Sequence, residues 1–106
     1  MAKRARELEW KFRCDAVILM GDFNETVAGE PYRTLVSVGL ADTWLPGSQS
    51  VASFHGWIGP RASEDRIDWI LLRGKLVSKR SFLSVDKFDS SFWPSDHFPL
   101  AVDLAE

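Results

Sequence analysis

Ala16-Val17-Ile18-Leu19-Met20 is a continuous apolar run that ends at Gly21-Asp22. An apolar run without polar alternation is typical of a β-strand that is covered on both faces. We therefore expect this segment to be a strand in the middle of its sheet, with other strands on either side.

Helices and further strands are predicted on both sides of this strand. Residues 2–12 have apolar positions at helical spacing among charges, which predicts an amphipathic helix. A second helix is predicted over about residues 30–38, because Pro31 suits a first turn and Gly39 suits an end. Residues 40–64, rich in Gly, Ser and Pro, are predicted to be mainly loop, and strands are predicted over 66–72, 77–85 and 98–104.

The order of these elements predicts an α/β domain with one mixed sheet and helices on one of its faces. Both alternating sets of side chains in residues 67–72 are largely apolar: Ile67, Trp69 and Leu71 in one set, and Asp68, Ile70 and Leu72 in the other. Each face of this strand therefore needs a cover, and two helices shield only one face. We expect the other face to be covered by the missing half of a domain or by a second copy of the chain.

Composition limits the classes of function. The chain has 106 residues, 45% of them hydrophobic, so it forms one domain at most. Its formal charge of −2 gives no general attraction to nucleic acid or to an anionic membrane. Cys14 is the single cysteine, which excludes an internal disulfide. The lack of an apolar leader, or of a span of about 18 apolar residues, predicts a cytoplasmic protein that does not enter the membrane.

Five residues with suitable chemistry lie at or beside the ends of predicted strands: Asp22, Asn24, Asp68, Asp96 and His97. Strand ends are where α/β proteins assemble their sites. Aspartate and asparagine oxygens suit Mg²⁺, and a neighbouring histidine can take a proton from water near neutral pH. Taken singly, each residue also has a structural interpretation, as a turn former, a strand aspartate bound by a backbone donor or an arginine, or a loop histidine.

Three segments together resemble a known family: Gly21-Asp22-Phe23-Asn24, Arg66-Ile67-Asp68-Trp69 and Pro94-Ser95-Asp96-His97. In their order and context they resemble the last three motifs of the endonuclease/exonuclease/phosphatase superfamily, and the resemblance extends over about residues 16–104. It implies a phosphoester hydrolase that uses Mg²⁺ or Mn²⁺, with a phosphoester substrate that includes nucleic acid among its possibilities. It also implies that this chain is the carboxy-terminal half of a four-layer α/β sandwich.

The resemblance assigns roles to the five candidates. It implies that Asp22 and Asn24 contact the scissile phosphate and the attacking water, and that Asp96 ligates the metal together with Asp22. His97 is then the general base or a stabiliser of the transition state. Asp68 would orient His97, because an imidazole needs a carboxylate partner to fix its tautomer.

Two further residues lie in a glycine-containing loop between the motifs. His55 and Trp57 could contact substrate or could pack over the core. We favour packing for Trp57. For His55 both roles stay open, and we include it with Asn24 as a candidate for substrate binding.

The resemblance stops before residue 16. The amino-terminal motifs of the family include a glutamate that ligates metal, and Glu7 and Glu9 lie in a predicted basic helix rather than at the end of an apolar strand. Two functions are therefore compatible with the sequence. One is a Mg²⁺-dependent phosphoester hydrolase, and the other is a catalytically weak or inactive half-domain that folds as a homodimer through its open sheet face.

Overall fold

A computed structural model describes residues 1–49, 51–63, 65–87 and 92–106. In that part of the chain the elements are α1 Ala2–Phe12, β1 Ala16–Asp22, α2 Glu30–Ser37, β2 Ala41–Asp42, β3 Asp68–Gly74, β4 Val77–Leu83 and β5 Leu100–Ala105. Both predicted helices are confirmed, α2 to within one residue. The two-residue strand β2 was not predicted, and Ser50 and Glu64 of the predicted loop lie outside the described residues.

The end of α2 shows why local sequence was sufficient for the helices. Pro31 occupies the first turn, where its missing N–H is not needed. The chain leaves the helix at Gly39, which has φ 92°. That region of backbone conformation favours glycine, so the helix ends where the sequence predicted.

All strand pairing in the described part of the chain is antiparallel. One sheet has the order β1-β3-β2, and β4 pairs with β5 in a second sheet. The predicted single mixed sheet is therefore wrong. The strands β1 and β2, which α2 connects, run in the same direction. They do not pair with each other, because β3 lies between them and pairs antiparallel with both.

The position of β1 also differs from the prediction. It lies at one edge of its sheet, and β3 is the central strand. One face of β1 is open, because Ile18 is 42% and Met20 is 62% exposed. An apolar run predicts that a strand will be covered but does not show which strands pair with it, so the edge position was not visible in the sequence.

The core lies on the other face, between the sheet and the helices. Its centre consists of Leu35 of α2, Leu40, and Trp69 and Leu71 of β3. Trp69 is completely buried, and its ring stacks on that of Phe23 with centroids 4.5 Å apart. Its Nε1 also donates to the carbonyl of Arg66 at 2.8 Å, so the indole is both packed and hydrogen-bonded.

The second face of β3 is better covered than the sequence predicted. Ile70 and Leu72 are 8% and 7% exposed, and β3 is in contact with β5. The register places Ile18 opposite Leu72 and Met20 opposite Ile70, so all four belong to one face. The open part of that face therefore lies on β1 rather than on β3. No helix in the described residues is long and apolar enough to cross a membrane.

Candidate active site

Asp68 and His97 form a hydrogen-bonded pair at one end of the β1–β3 ladder. Nδ1 of His97 lies 2.9 Å from Oδ2 of Asp68, and the two side chains are 28% and 18% exposed. Asp68 is the first residue of β3, whereas His97 precedes β5 and forms a β-bridge with Phe54. When the Nδ1 proton is donated to the carboxylate, Nε2 is the ring nitrogen that remains to act on other groups.

Asp22 joins this pair because of the strand register. It is the last residue of β1 and is directly opposite Asp68 in the antiparallel ladder. Directly opposite residues of neighbouring strands point to the same face of a sheet. Oδ2 of Asp22 consequently lies 3.7 Å from Nε2 of His97, on the other side of the ring from Asp68.

The surrounding carboxylates favour the protonated form of His97. Its pKa is raised above the ordinary value of 6.5, first by the hydrogen bond to Asp68 and further by the charges of Asp68, Asp22 and Asp96. Burial of the ring acts in the opposite direction and lowers the pKa. The net effect is an imidazole that is readily charged and that is held beside three acidic residues.

The same three side chains have the chemistry of a cation site. Asp22, Asp68 and His97 each offer one ligand atom, and these atoms lie within 4.8 Å of one another. Carboxylate oxygens suit Mg²⁺ and Mn²⁺, and an imidazole nitrogen suits other divalent metals as well. The residues present therefore fit a divalent cation. The predicted ligand Asp96 is not a member of this cluster, and its ligand role stays a prediction.

Backbone hydrogen bonds hold the chain at Asp96 and at Asn24, from a distant segment in the first case and within one turn in the second. The Asp96 carbonyl accepts the amides of His55 at 2.8 Å and Gly56 at 3.2 Å. Asn24 has φ 55°, a conformation that asparagine tolerates better than most residues, and its amide donates to Oδ1 of Asp22 at 2.9 Å. Asn24 is exposed beside Asp22, and its predicted contact with substrate stays a prediction.

A cleft of about 330 Å³ opens beside the three clustered side chains. One end is polar, and the wall next to it is apolar, formed by Met20, Ile70, Phe98 and Leu100. Pockets that combine a few convergent polar groups with apolar walls are the usual form of small-molecule sites. This cleft can take a charged group at the cluster and an organic group along the wall.

The loop that contains His55 and Trp57 reverses one prediction. His55 is only 4% exposed, and its ring stacks on Phe98 with centroids 4.1 Å apart. This packing favours the core role, and binding of substrate by His55 stays a prediction. Trp57 is 59% exposed, so the predicted packing of Trp57 over the core is wrong.

A buried ion pair that the sequence did not reveal supports the start of β3. Arg66 donates to the carboxylate of Asp42, and its Nη1 donates to the carbonyl of Asp68 at 3.1 Å. Tyr32 donates to Asp42 at 3.1 Å, and burial together with that carboxylate raises the pKa of Tyr32 to about 12. Arginine thus binds the backbone of Asp68 and leaves its carboxylate for His97.

The sequence profile described as the Endonuclease/Exonuclease/phosphatase family matches residues 3–97. This chain belongs to that family. A family protein from Bacteroides thetaiotaomicron has a TM-score of 0.80 at 27% identity, over 96% of this chain and 40% of that one. A mannosyl-6-phosphatase from the same species has a TM-score of 0.78 at 27% identity, over 99% and 44% of the two chains.

A family protein from Leptotrichia buccalis extends this pattern, with a TM-score of 0.65 at 28% identity over 100% of this chain and 43% of that one. No match was found among curated proteins. The chain therefore spans less than half the length of these family structures. In this chain, Glu9 of α1 pairs with Arg73 of β3 at 2.8 Å. Arg73 is five residues along β3 from Asp68, so the Glu9–Arg73 pair lies about 17 Å along the strand from the candidate site.

Proposed function

We propose that this chain provides the histidine-bearing part of a metal-dependent phosphoester hydrolase. The observation that carries the proposal is the Asp68–His97 pair, whose Nε2 lies beside Asp22 at the polar end of a cleft. An imidazole paired with one carboxylate and facing another is suited to take a proton from water at a metal site. Membership of the family agrees with hydrolysis, since one similar structure is a mannosyl-6-phosphatase.

In the proposed reaction, Nδ1–H of His97 donates to Asp68 while Nε2 accepts a proton from the attacking water. The water oxygen forms a bond to phosphorus, and the bond from phosphorus to the leaving oxygen breaks. The leaving oxygen departs on the opposite side of phosphorus and takes a proton from solvent, while the protonated His97, stabilised by Asp68, releases its proton to solvent. Asp22 and Asn24, at the end of β1, would bind the water and the phosphate.

We propose Asp22 and Asp96 as the carboxylates that hold Mg²⁺ or Mn²⁺. Magnesium keeps several waters and needs only one or two protein carboxylates together with phosphate oxygens. Asp22 is suited to this role, because the amide of Asn24 donates to its Oδ1 and orients the carboxylate. Its Oδ2 faces His97 and is the oxygen that would bind the cation. When bound, the cation would supply positive charge that neutralises the phosphate and the developing transition state.

The cleft favours a phosphoester with a small organic group. The apolar wall provides a surface for that group, and a sugar phosphate is the first candidate because of the mannosyl-6-phosphatase among the similar structures. Binding of nucleic acid stays a prediction, and the formal charge of −2 does not favour strong nonspecific binding to DNA. The cytoplasmic location also stays a prediction.

We propose that two copies of the chain associate through the open part of the sheet around Ile18 and Met20, so that Met20 contacts the partner copy and the Leu100 side of the cleft wall is left for substrate. These side chains are 42% and 62% exposed, and full burial of each stabilises an interface by about 1.5–3 kcal/mol. A two-fold interface would bury Ile18 and Met20 of both copies at once, because each copy contributes the same surface. Such packing would give a layered α/β sandwich in which the second copy covers the sheet face that the other half of the family fold would cover.

The second candidate function is a catalytically weak or inactive half-domain that folds by homodimerisation. One observation favours it. Glu9, which lies in α1, is paired with Arg73 at the far end of β3 and not near Asp22. A cation bound without the family's glutamate would be held loosely, and a base without a well-held metal contributes little.

Hydrolysis of a generic phosphodiester and of a sugar phosphate by the purified chain, with Mg²⁺ or Mn²⁺, separates the two candidates. The His97→Ala variant should lose about 10²- to 10⁴-fold in rate. Asp103→Asn is the control, because Asp103 is exposed on β5 outside the cluster. No activity in the wild type, or equal activity in His97→Ala, would reject the hydrolase and favour the inactive half-domain.

A further inference from the structure

Ser53 is a completely buried residue whose side chain binds the start of β3. Its Oγ accepts the amide of Ile67 at 2.9 Å and the amide of Asp68 at 3.2 Å. A serine hydroxyl has two acceptor lone pairs, so it can accept both hydrogen bonds at once. Buried backbone N–H groups need partners, and at this point one side chain satisfies two of them.

The main chain of the same residue binds the segment that contains His97. The Ser53 carbonyl accepts the amide of Phe98 at 2.8 Å. The next two residues continue the contact, because Phe54 forms a β-bridge with His97 and the amide of His55 donates to the Asp96 carbonyl. Ser53 is therefore hydrogen-bonded to both segments that supply the Asp68–His97 pair, through its side chain to one and through its main chain to the other.

We propose that Ser53 is a positioning residue, which holds the first residue of β3 and the segment before β5 at the separation that lets the Asp68 carboxylate meet the His97 ring. Its importance for turnover rests on the proposed hydrolase function, but its effect on the pair does not. Protein N–H···O hydrogen bonds are about 2.7–3.2 Å long and need a favourable angle, so a shift of either segment by a few tenths of an ångström would weaken the 2.9 Å contact. Errors of about 1 Å in a catalytic group cost about 100-fold in rate.

Ser81 provides a matched control for a merely structural role. It is also buried, at 7% exposure, and its hydroxyl accepts the amide of Leu45 at 2.9 Å. It lies on β4, outside the segments that supply the cluster. Replacing either serine by alanine removes a buried hydroxyl that accepts a backbone amide, so a general loss of stability should appear in both variants.

The test compares Ser53→Ala with Ser81→Ala in metal-free protein at one fixed pH. The main readout is the downfield NMR signal of the His97 Nδ1 proton, with Asp68→Ala, which removes the acceptor, showing the spectrum of a broken pair. We expect Ser53→Ala to lose or weaken this signal and Ser81→Ala to keep it. In the hydrolysis assay, Ser53→Ala should lower kcat by about 10- to 100-fold with little change in KM.

A wild-type signal in Ser53→Ala, or equal loss of the signal in both variants, would overturn the inference. If Ser53→Ala does not fold, Ser53→Cys serves instead, because its thiol is a weaker acceptor and should weaken the signal; an unchanged signal would again overturn the inference. A signal that depends on Ser53 in a wild-type chain without hydrolysis would support the inference and reject the proposed function. Hydrolysis by the wild type together with a signal that does not depend on Ser53 would support the proposed function and overturn the inference.

Discussion

Asp22 and Asp68 are directly opposite each other across the β1–β3 ladder, and the ring of His97 lies between their carboxylates at 3.7 Å and 2.9 Å. Two like charges at opposed positions of a sheet destabilise it. A protonated His97 or a bound cation relieves this repulsion. The strand register therefore creates a place where positive charge is favoured, at the polar end of the cleft.

The rate of hydrolysis should rise with pH through the pKa of His97. A general base must be neutral, and the hydrogen bond to Asp68 raises that pKa above 6.5, so the base form is lost at acidic pH. Asp68→Asn removes the main cause of the shift, so the NMR titration of His97 in metal-free protein should move to lower pH. An unchanged titration in Asp68→Asn, with Asp103→Asn as control, would show that the pair does not exist in solution.

Binding of Mg²⁺ or Mn²⁺ should depend on Asp22 and Asp96. A cation that binds only the folded chain adds about 2.7 kcal/mol to the free energy of unfolding when its concentration is about 100 times its dissociation constant. The melting temperature therefore rises. We expect Asp22→Asn and Asp96→Asn to reduce the increase measured by thermal unfolding, and a chelator to abolish it. The Asp103→Asn variant should keep it, and an equal response in all variants would argue against these ligands.

The proposed dimer should dissociate when charge is placed on the open sheet face. Met20→Lys puts an ammonium into the interface and removes about 1.5–3 kcal/mol of apolar burial from each copy. Sedimentation velocity should show a dimer for the wild type and a monomer for this variant. Val77→Lys is the matched control, because Val77 is 46% exposed on β4 and should leave the dimer intact. A monomeric wild type would contradict the proposal.

Trp69 should be the most costly tryptophan to remove. It is fully buried between Phe23 and Tyr32, so Trp69→Ala should lower the free energy of unfolding by about 3–5 kcal/mol. Trp10 is 85% exposed, and Trp10→Ala should change the free energy of unfolding by no more than about 0.5 kcal/mol. Denaturant unfolding measures both values, and similar costs for the two variants would mean that the core is misassigned.

Local patterns in the sequence were sufficient for the helices and for the residues of the cluster. Helical spacing identified α1 and α2, and the position of acidic residues at strand ends singled out Asp22 and Asp68. These features depend on neighbouring residues along the chain. In the structure, the antiparallel register of β1 with β3 brings these two residues together, and the β-bridge between Phe54 and His97 holds the segment that supplies His97.

Contacts between distant segments were not predictable in the same way. Asp42 and Arg66 are separated by 24 positions, and Ser53 reaches Asp68 across 15. No periodicity in one segment encodes such a partner. The edge position of β1 was missed for a related reason, since apolar character reports burial of a strand but not which strand lies beside it.

The most direct test of the account is a double-mutant cycle between Asp68 and His97 in metal-dependent hydrolysis. Because Asp68 is proposed to act through His97, Asp68→Asn should reduce kcat/KM by about 10- to 100-fold in the wild-type background and change it little in His97→Ala. We expect the effect of Asp68→Asn to depend on His97 in this way. Losses that simply multiply in the double variant, or no loss in either single variant, would contradict it.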